Sequence, residues 1–328
     1  MSLGDLLDRF SSKRVLVLGD LMLDEYIFGR ATRISQEAPV MVVRQHRTDA
    51  VPGGAANVAK NLIALGARTS VVGVVGADHA GETLGEALRT SGIDEVHTVV
   101  DRSRPTTRKT RVLADSAHQV LRIDHEDHSS VSPEIEASLL EAILQSVSKV
   151  DVVLISDYQK GAVTRRLVKD TIAAAAERGV PVIANAKPNS IGWYRGASLV
   201  SLNQPEAAAA LGWSELKEEH ELQTSSVETG IRAAKQLRSE HGIDHVLVTL
   251  GGQGMCTESG WTSPHRVEVF DTAGAGDTTI ATVTLGFASV GFQPDVFALA
   301  ARTAACVVQK VGVAVPTSKD LEEIRATN

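Results

Sequence analysis

Apolar and polar positions along this chain sort into two kinds of segment. Short runs rich in Val, Ile and Leu stand at 14–19 (RVLVLG), 69–76 (TSVVGVVG), 150–156 (VDVVLIS), 180–184 (VPVIA), 197–202 (ASLVSL) and 244–250 (DHVLVTL). Continuous apolar runs of this length suit strands covered on both faces, where no side chain meets water. Between them lie helix-length segments at 55–65, 79–91, 132–148, 161–178 and 226–240. The last third turns helical, at 275–290, 295–310 and 318–327. Strand and helix in alternation predict an α/β protein with a mainly parallel sheet covered by helices. No repeat or low-complexity linker interrupts the pattern.

Two stretches break the alternation. Residues 25–48 and 97–124 carry period-2 patterns of Thr, Val and Arg, which predict extra strands inserted between core units and hence a small second sheet. Such a sheet over a strand-end crevice would act as a lid that excludes water from group transfer. The same pattern also fits ordinary hairpins at the sheet edge. The second stretch contains "RSRPTTRKTR" (102–111), and Arg30 and Arg33 lie in the first. Cations at strand spacing could grip a substrate phosphate, bidentately in the case of arginine. Equally, they could protect an exposed strand edge from pairing.

The chemistry-bearing residues cluster after strands and at glycines. In "EVFDTAGAGDTTIATV", the strand-like 266–270 is followed by Gly274-Ala275-Gly276 and then Asp277 in the first turn of a helix. Backbone N–H groups at a helix start attract an anion. A carboxylate beside them is placed to take a proton from an attacking hydroxyl while the amides neutralise a transferring phosphoryl group. The competing reading is a plain acidic first-turn residue. At 51–66, Gly53 and Gly54 precede a helix carrying Asn57; glycines admit a ligand close to the backbone, and Asn57 offers a donor and an acceptor to a hydroxyl. A flexible helix entry explains the same glycines. Asp20 and Asp24 follow the first strand, where carboxylates suit sugar hydroxyls or cap a turn. Asn203 and Glu206 stand three apart after another strand; Glu206 could hold Mg²⁺ through water, or the two could form a capping pair. "VTLGGQGM" places Thr249, Gly251, Gly252 and Gly254 after a further strand, which fits nucleotide phosphates or ribose, or a simple hairpin. The acidic "DHEDH" (124–128) lacks metal-ligand spacing and reads as an exposed turn.

Composition then narrows the class. The chain has 328 residues, 43% apolar and 22% charged, with a net charge of −7. That balance argues weakly against nucleic acid as the main partner, since backbone binding wants a basic face. No apolar run approaches the roughly 18–20 residues that span a bilayer, and no secretion signal opens the chain. Cys256 and Cys306 lie far apart without CxxC spacing, consistent with free thiols in a reducing cytoplasm. Neither GxxxxGK[ST] nor a dinucleotide fingerprint occurs, which excludes a Walker-type nucleotide loop and argues against a nicotinamide-dependent reaction.

Taken together, these residues resemble the ribokinase-type (PfkB) carbohydrate kinase family over nearly the whole chain. Its first signature is Gly53-Gly54, Asn57, Gly66 and Gly76 in "GGAANVAKNLIALGARTSVVGVVG", and its second is "DTAGAGD", Asp271 to Asp277. The N-x-x-E of Asn203 and Glu206 lies between them. The resemblance implies one kinase domain over 1–328 with a three-layer α/β/α fold and a β-sheet lid. It implies ATP as donor, Mg²⁺, and Asp277 as the base that activates a sugar hydroxyl. It also implies a homodimer joined through the lid, and leaves a monovalent cation open.

Finer strings, "GDLMLDEYIFGRATRISQEAPV", "KTRVLA", "SDYQKGA", "WYRGASLV" and "LVTLGGQGM", are similar to the branch of the family that phosphorylates O1 of D-glycero-β-D-manno-heptose 7-phosphate in ADP-heptose synthesis. By that resemblance Asp20, Asp24, Gly53, Gly54, Asn57, Lys109, Arg111, Lys160 and Lys187 line the sugar-phosphate pocket. Asn203, Thr249, Gly251, Gly252 and Gly254 meet the nucleotide. The HxGH motif of a nucleotidyltransferase half does not occur in this sequence. Three positions depart from the family pattern: Asn185 replaces an acid in "NAKP", Leu250 stands where an arginine is usual, and the late helix lacks an asparagine. These departures bear on the acceptor more than on the reaction. Another sugar phosphate, or a sugar-responsive binding protein without catalysis, fits the same outline.

Overall fold

The computed structural model describes residues 1–115, 118–213 and 225–326. The predicted spans that include 116–117 and 327 extend beyond these. Nine strands form the main sheet: β1 (Arg14–Gly19), β4 (Arg68–Gly76), β5 (Glu95–Asp101), β8 (Val152–Ser156), β9 (Val182–Asn185), β10 (Leu199–Asn203), β11 (Val246–Thr249), β12 (Met255–Thr257) and β13 (Gly260–Thr262). Their spatial order is β13-β12-β11-β10-β9-β8-β1-β4-β5. Pairing is parallel from β5 across to β11 and antiparallel only at the β11–β12–β13 edge.

The doubly apolar strands behave as their sequence dictates. Val15 and Val17 of β1 enter one core and Leu16 and Leu18 the other; in β8, Val152 and Leu154 oppose Val153 and Ile155. The first core is covered by α1 (Leu3–Asp8), α2 (Ala55–Ala64), α3 (His79–Thr90), α8 (Ala275–Val290), α9 (Pro294–Val308) and α10 (Ser318–Ala326). The second is covered by α4 (Pro133–Ser146), α5 (Arg165–Ala176), α6 (Gln204–Ala210) and α7 (Ser226–His241). The result is a three-layer α/β/α sandwich. No helix among the described residues is long and apolar enough to cross a membrane.

A separate four-stranded sheet, in the order β3-β2-β6-β7, is built from β2 (Leu21–Ile34), β3 (Met41–Gly54), β6 (Arg108–Ala114) and β7 (His118–His125). Strand β2 starts one residue after Asp20, and β3 ends at Gly54 against α2, so the lid grows directly out of the strand-end crevice.

Two expectations change. Residues 97–101 are not lid: they lie in β5, which pairs with β4 at the edge of the main sheet. A half-covered edge strand alternates with period 2 just as a lid strand does. The strand-like 266–270 also forms no strand; the Phe270 N–H instead donates to the Val308 carbonyl at 2.8 Å.

Candidate active site

Strand order reverses around β1, whose two neighbours β4 and β8 carry the chain away in opposite directions. In open α/β sheets the crevice at such a point, past the carboxyl ends of the strands, is where ligands bind. Here Gly19 closes β1 against β8 so tightly that an added Cβ would lie 2.2 Å from the Ser156 carbonyl oxygen.

Asp277 reaches this crevice from α8. Gly274 supplies the entry with φ +82, a left-handed conformation that glycine adopts at little cost. No side chain caps the helix, so the amides of Gly276 and Asp277, which have no intrahelical acceptor, face outward. An added Cβ on Gly276 would meet nothing within 4 Å, which leaves open space beside those amides. On α2, Asn57 and Asn61 are fully buried one turn apart and dock the first turn of α8. Asn57 Nδ2 donates to Asp277 Oδ2 at 2.6 Å, and Thr278 Oγ1 donates to Asn61 Oδ1 at 2.7 Å. The other carboxylate oxygen of Asp277 accepts the phenol of Tyr158, which follows β8. Burial pushes the Asp277 carboxyl above the usual carboxylate range; the bonds from Tyr158 and Asn57 pull it back, Asp24 adds to the rise, and Lys187 opposes it.

Asp20 differs from its expected role. It is 1% exposed, and its carboxylate accepts three backbone N–H groups, from Tyr158 at 2.8 Å, Lys160 at 3.1 Å and Ala162 at 3.1 Å. It therefore holds the 157–162 loop and has little capacity left for a sugar hydroxyl.

The lid side is lined with paired charges. Arg111 Nη1 meets Asp24 Oδ1 at 2.5 Å. Gly53 is needed at this spot, since an added Cβ would lie 2.0 Å from Asp24 Oδ2. At Gly54 (φ +57) a Cβ would meet the Asp20 carbonyl oxygen at 2.6 Å. Both glycines thus make room for neighbouring protein atoms. Lys160 Nζ pairs with Glu126 Oε2 at 2.8 Å, and that pairing keeps the Glu126 carboxyl below its ordinary range although burial opposes it. Lys109 lies in the same cluster; burial first, then the nearby Lys160 charge, lowers its proton affinity. The remaining basic residues separate from this group. Arg104 is a buried clamp bonded to Asp101, the Lys160 carbonyl and the Ser129 carbonyl. Arg30 and Arg33 stand exposed on the outer half of β2, roughly 20 Å or more along the strand from Asp24.

Across the crevice, Lys187 Nζ contacts Glu206 Oε1 at 2.5 Å and sits 5.5 Å from the Tyr158 ring centroid. Glu206 Oε2 accepts the Asn203 N–H at 2.9 Å and Asn203 Oδ1 accepts the Glu206 N–H at 2.8 Å, a complete capping box for α6. Both oxygens of Glu206 are therefore engaged. Among the described residues no group of three or more acidic, His or Cys side chains gathers as a cage. Glu206 is the residue here that could hold a Mg²⁺ through water, since that ion keeps much of its hydration shell.

Thr249 ends β11, and Gly251 and Gly252 are exposed, with open space where a Cβ would be. Gly254 differs: at φ +93 an added Cβ would lie 2.2 Å from the Thr262 carbonyl oxygen, so this glycine serves the β11–β12–β13 turn. Asn185 closes β9, and Leu250 is buried. Cys256 is buried and Cys306 half-buried, both free.

Three residues at the site carried no role in the sequence reading. Tyr158 had two available signals, its position just past a buried strand and its place in the matching string "SDYQKGA". Glu126 belonged to the acidic "DHEDH" set aside as an exposed turn, and its pairing with Lys160 corrects that. Asn61 shares a helix face with Asn57 at i, i+4.

Residues 12–320 match the pfkB family carbohydrate kinase profile, and the chain belongs to that family; it is a carbohydrate kinase. It is 39% identical over 318 residues to the bifunctional protein HldE of Desulfatibacillum aliphaticivorans, covering 95% of this chain and 63% of that protein. It is 40% identical over 317 residues to the bifunctional protein HldE of Caulobacter vibrioides, with the same coverage. The chain thus spans less than two thirds of the length of these relatives. In fold it is similar to phosphofructokinase-2 from Escherichia coli in complex with fructose-6-phosphate, with a TM-score of 0.76 at 20% identity over 96% of this chain and 98% of that one. It is also similar to Arabidopsis thaliana ribokinase complexed with ribose and ATP, with a TM-score of 0.69 at 20% identity over 96% and 99%.

Proposed function

We propose that this carbohydrate kinase transfers the γ-phosphoryl group of ATP to a hydroxyl of a phosphorylated sugar, O1 of D-glycero-β-D-manno-heptose 7-phosphate, giving the 1,7-bisphosphate. The observation that carries the reaction is Asp277, a carboxylate at an uncapped helix start, fixed by Asn57 and Tyr158 at the strand-order reversal. The acceptor lies under the lid, with its phosphate displacing Glu126 from Lys160 and Asp24 from Arg111, beside Lys109. ATP lies toward Thr249, Gly251, Gly252 and Asn203. Asp277 takes the hydroxyl proton as the new O–P bond forms and the bond from the γ-phosphorus to the bridging oxygen of ADP breaks. The amides of Gly276 and Asp277 hold the non-bridging oxygens during transfer. Glu206 would hold a Mg²⁺ through water, and that ion would supply neutralisation of phosphate charge.

The choice of heptose 7-phosphate rests on the matching strings named above and on the similarity to the HldE proteins. ADP release with Mg-ATP across heptose, hexose and pentose phosphates tests it. Heptose 7-phosphate should exceed the others in kcat/KM by at least about tenfold, the scale of one well-made polar contact. Equal turnover of a hexose phosphate overturns the acceptor assignment, and no ADP release with any sugar overturns catalysis. The lid exposes Ile34, Met41, Leu121 and Ile123, which supports a homodimer joined lid to lid; light scattering at a monomer mass would count against it.

A further inference from the structure

The phenol of Tyr158 donates to the carboxylate proposed as the base, and the residue's own placement is unusually complete. Its backbone N–H is held by Asp20 Oδ2 at 2.8 Å, and Asp20 in turn collects the N–H groups of Lys160 and Ala162. The Lys187 ammonium stands 5.5 Å from its ring centroid, and Lys187 is tied to Glu206. A buried carboxylate, a loop and a phenol thus form one line ending on Asp277. From these contacts we infer that Tyr158 is the positioning residue of the base: it aims the Asp277 carboxylate and favours its ionised form, and Asp20 acts on the base through Tyr158.

The charged and titratable groups around Asp277 make the inference specific. Asp24 from β2 bears on it unfavourably and is itself paired with Arg111 from β6; Lys187 beyond β9 bears on it favourably; Asn57 from α2 is neutral. Tyr158 is the hydroxyl that reaches the carboxylate. Burial, and then the charge of Asp277, holds the Tyr158 phenol well above its usual range, so it remains a donor at every working pH. A hydrogen bond to an ionised group strengthens the charged form, so losing it raises the proton affinity of Asp277. The base is competent above its pKa; the acidic limb of the pH–rate profile must therefore move to higher pH.

The test rests on Asp277 acting as the base and is built to separate the two ideas. In Tyr158→Phe the acidic limb of kcat should rise by about one pH unit, a tenfold loss of ionised base below the limb. Activity should recover at high pH, with KM for both substrates within about twofold. Asp20→Asn should move the limb the same way, and the double variant should move it no further than Tyr158→Phe alone, because the two residues act in series. An unmoved limb in Tyr158→Phe, a loss confined to KM, or additive shifts in the double variant overturns the inference. If instead Asp277→Asn keeps full turnover, the base assignment itself fails; if it is inactive while the Tyr158→Phe limb stays put, the failure is that of the Tyr158 inference.

Discussion

The two sides of the crevice are built from different materials. On the lid side, charge faces charge: Arg111 on Asp24, Lys160 on Glu126, with Lys109 among them. On the β11 side Gly251, Gly252 and Gly276 open onto empty space, and Lys187, expected in the sugar-phosphate pocket, pairs instead with Glu206. A charged surface already paired within itself discriminates, since an incoming anion must outcompete a carboxylate for each cation. A surface of amides and glycines accepts any group of the right shape and charge. On the proposed reading, the paired lid side takes the acceptor and the backbone-lined side takes the donor.

Substitutions can break this comparison, beginning at the residue both sides share. Asp277→Asn should lower kcat by about 10²–10⁴, the range for a positioned general base, with ATP affinity little changed; near-normal kcat alongside weak ATP binding would move Asp277 from chemistry to binding. Next come two glycines that look alike in sequence. Gly53→Ala should destabilise the fold by about 1–3 kcal/mol, because its Cβ collides with an Asp24 carboxylate that Arg111 restrains. Gly276→Ala should leave the melting temperature alone and raise KM for ATP, since its methyl enters the open space beside the helix amides. Equal melting temperatures for the two variants would erase the distinction drawn between the sides. The smaller effect is expected from Lys160→Met: KM for the sugar phosphate should rise roughly tenfold, the low end for one charge-assisted bond, while KM for ATP holds. A change in ATP affinity there would place Lys160 on the wrong side.

Much of the fold was legible because strands buried on both faces announce themselves: 14–19 matched its strand end for end, and the helix at 275–290 did likewise. What failed was alternation. Residues 97–101 and 266–270 share a period-2 pattern with true lid strands, and only the presence or lack of a neighbouring strand decides where such a segment goes. At the site, features set by local backbone were visible, such as Gly274 entering α8. Features set by distant partners were not. Asp20 looks like a sugar ligand until three amides from 158–162 are seen to occupy it, and Glu126 looks solvated until Lys160 arrives. A carboxylate's role depends on what fills its lone pairs, and that information lies far away in the chain.

Helix α8 is buried from Thr278 through Gly286, with Thr278, Thr279, Thr282 and Thr284 each returning a hydroxyl to the carbonyl one turn back. A rod seated this deeply is an anvil, not a hammer. Anything that closes over Asp277 would have to approach this fixed helix, and β2 and β3 meet the core beside it, at Asp20 and Gly54.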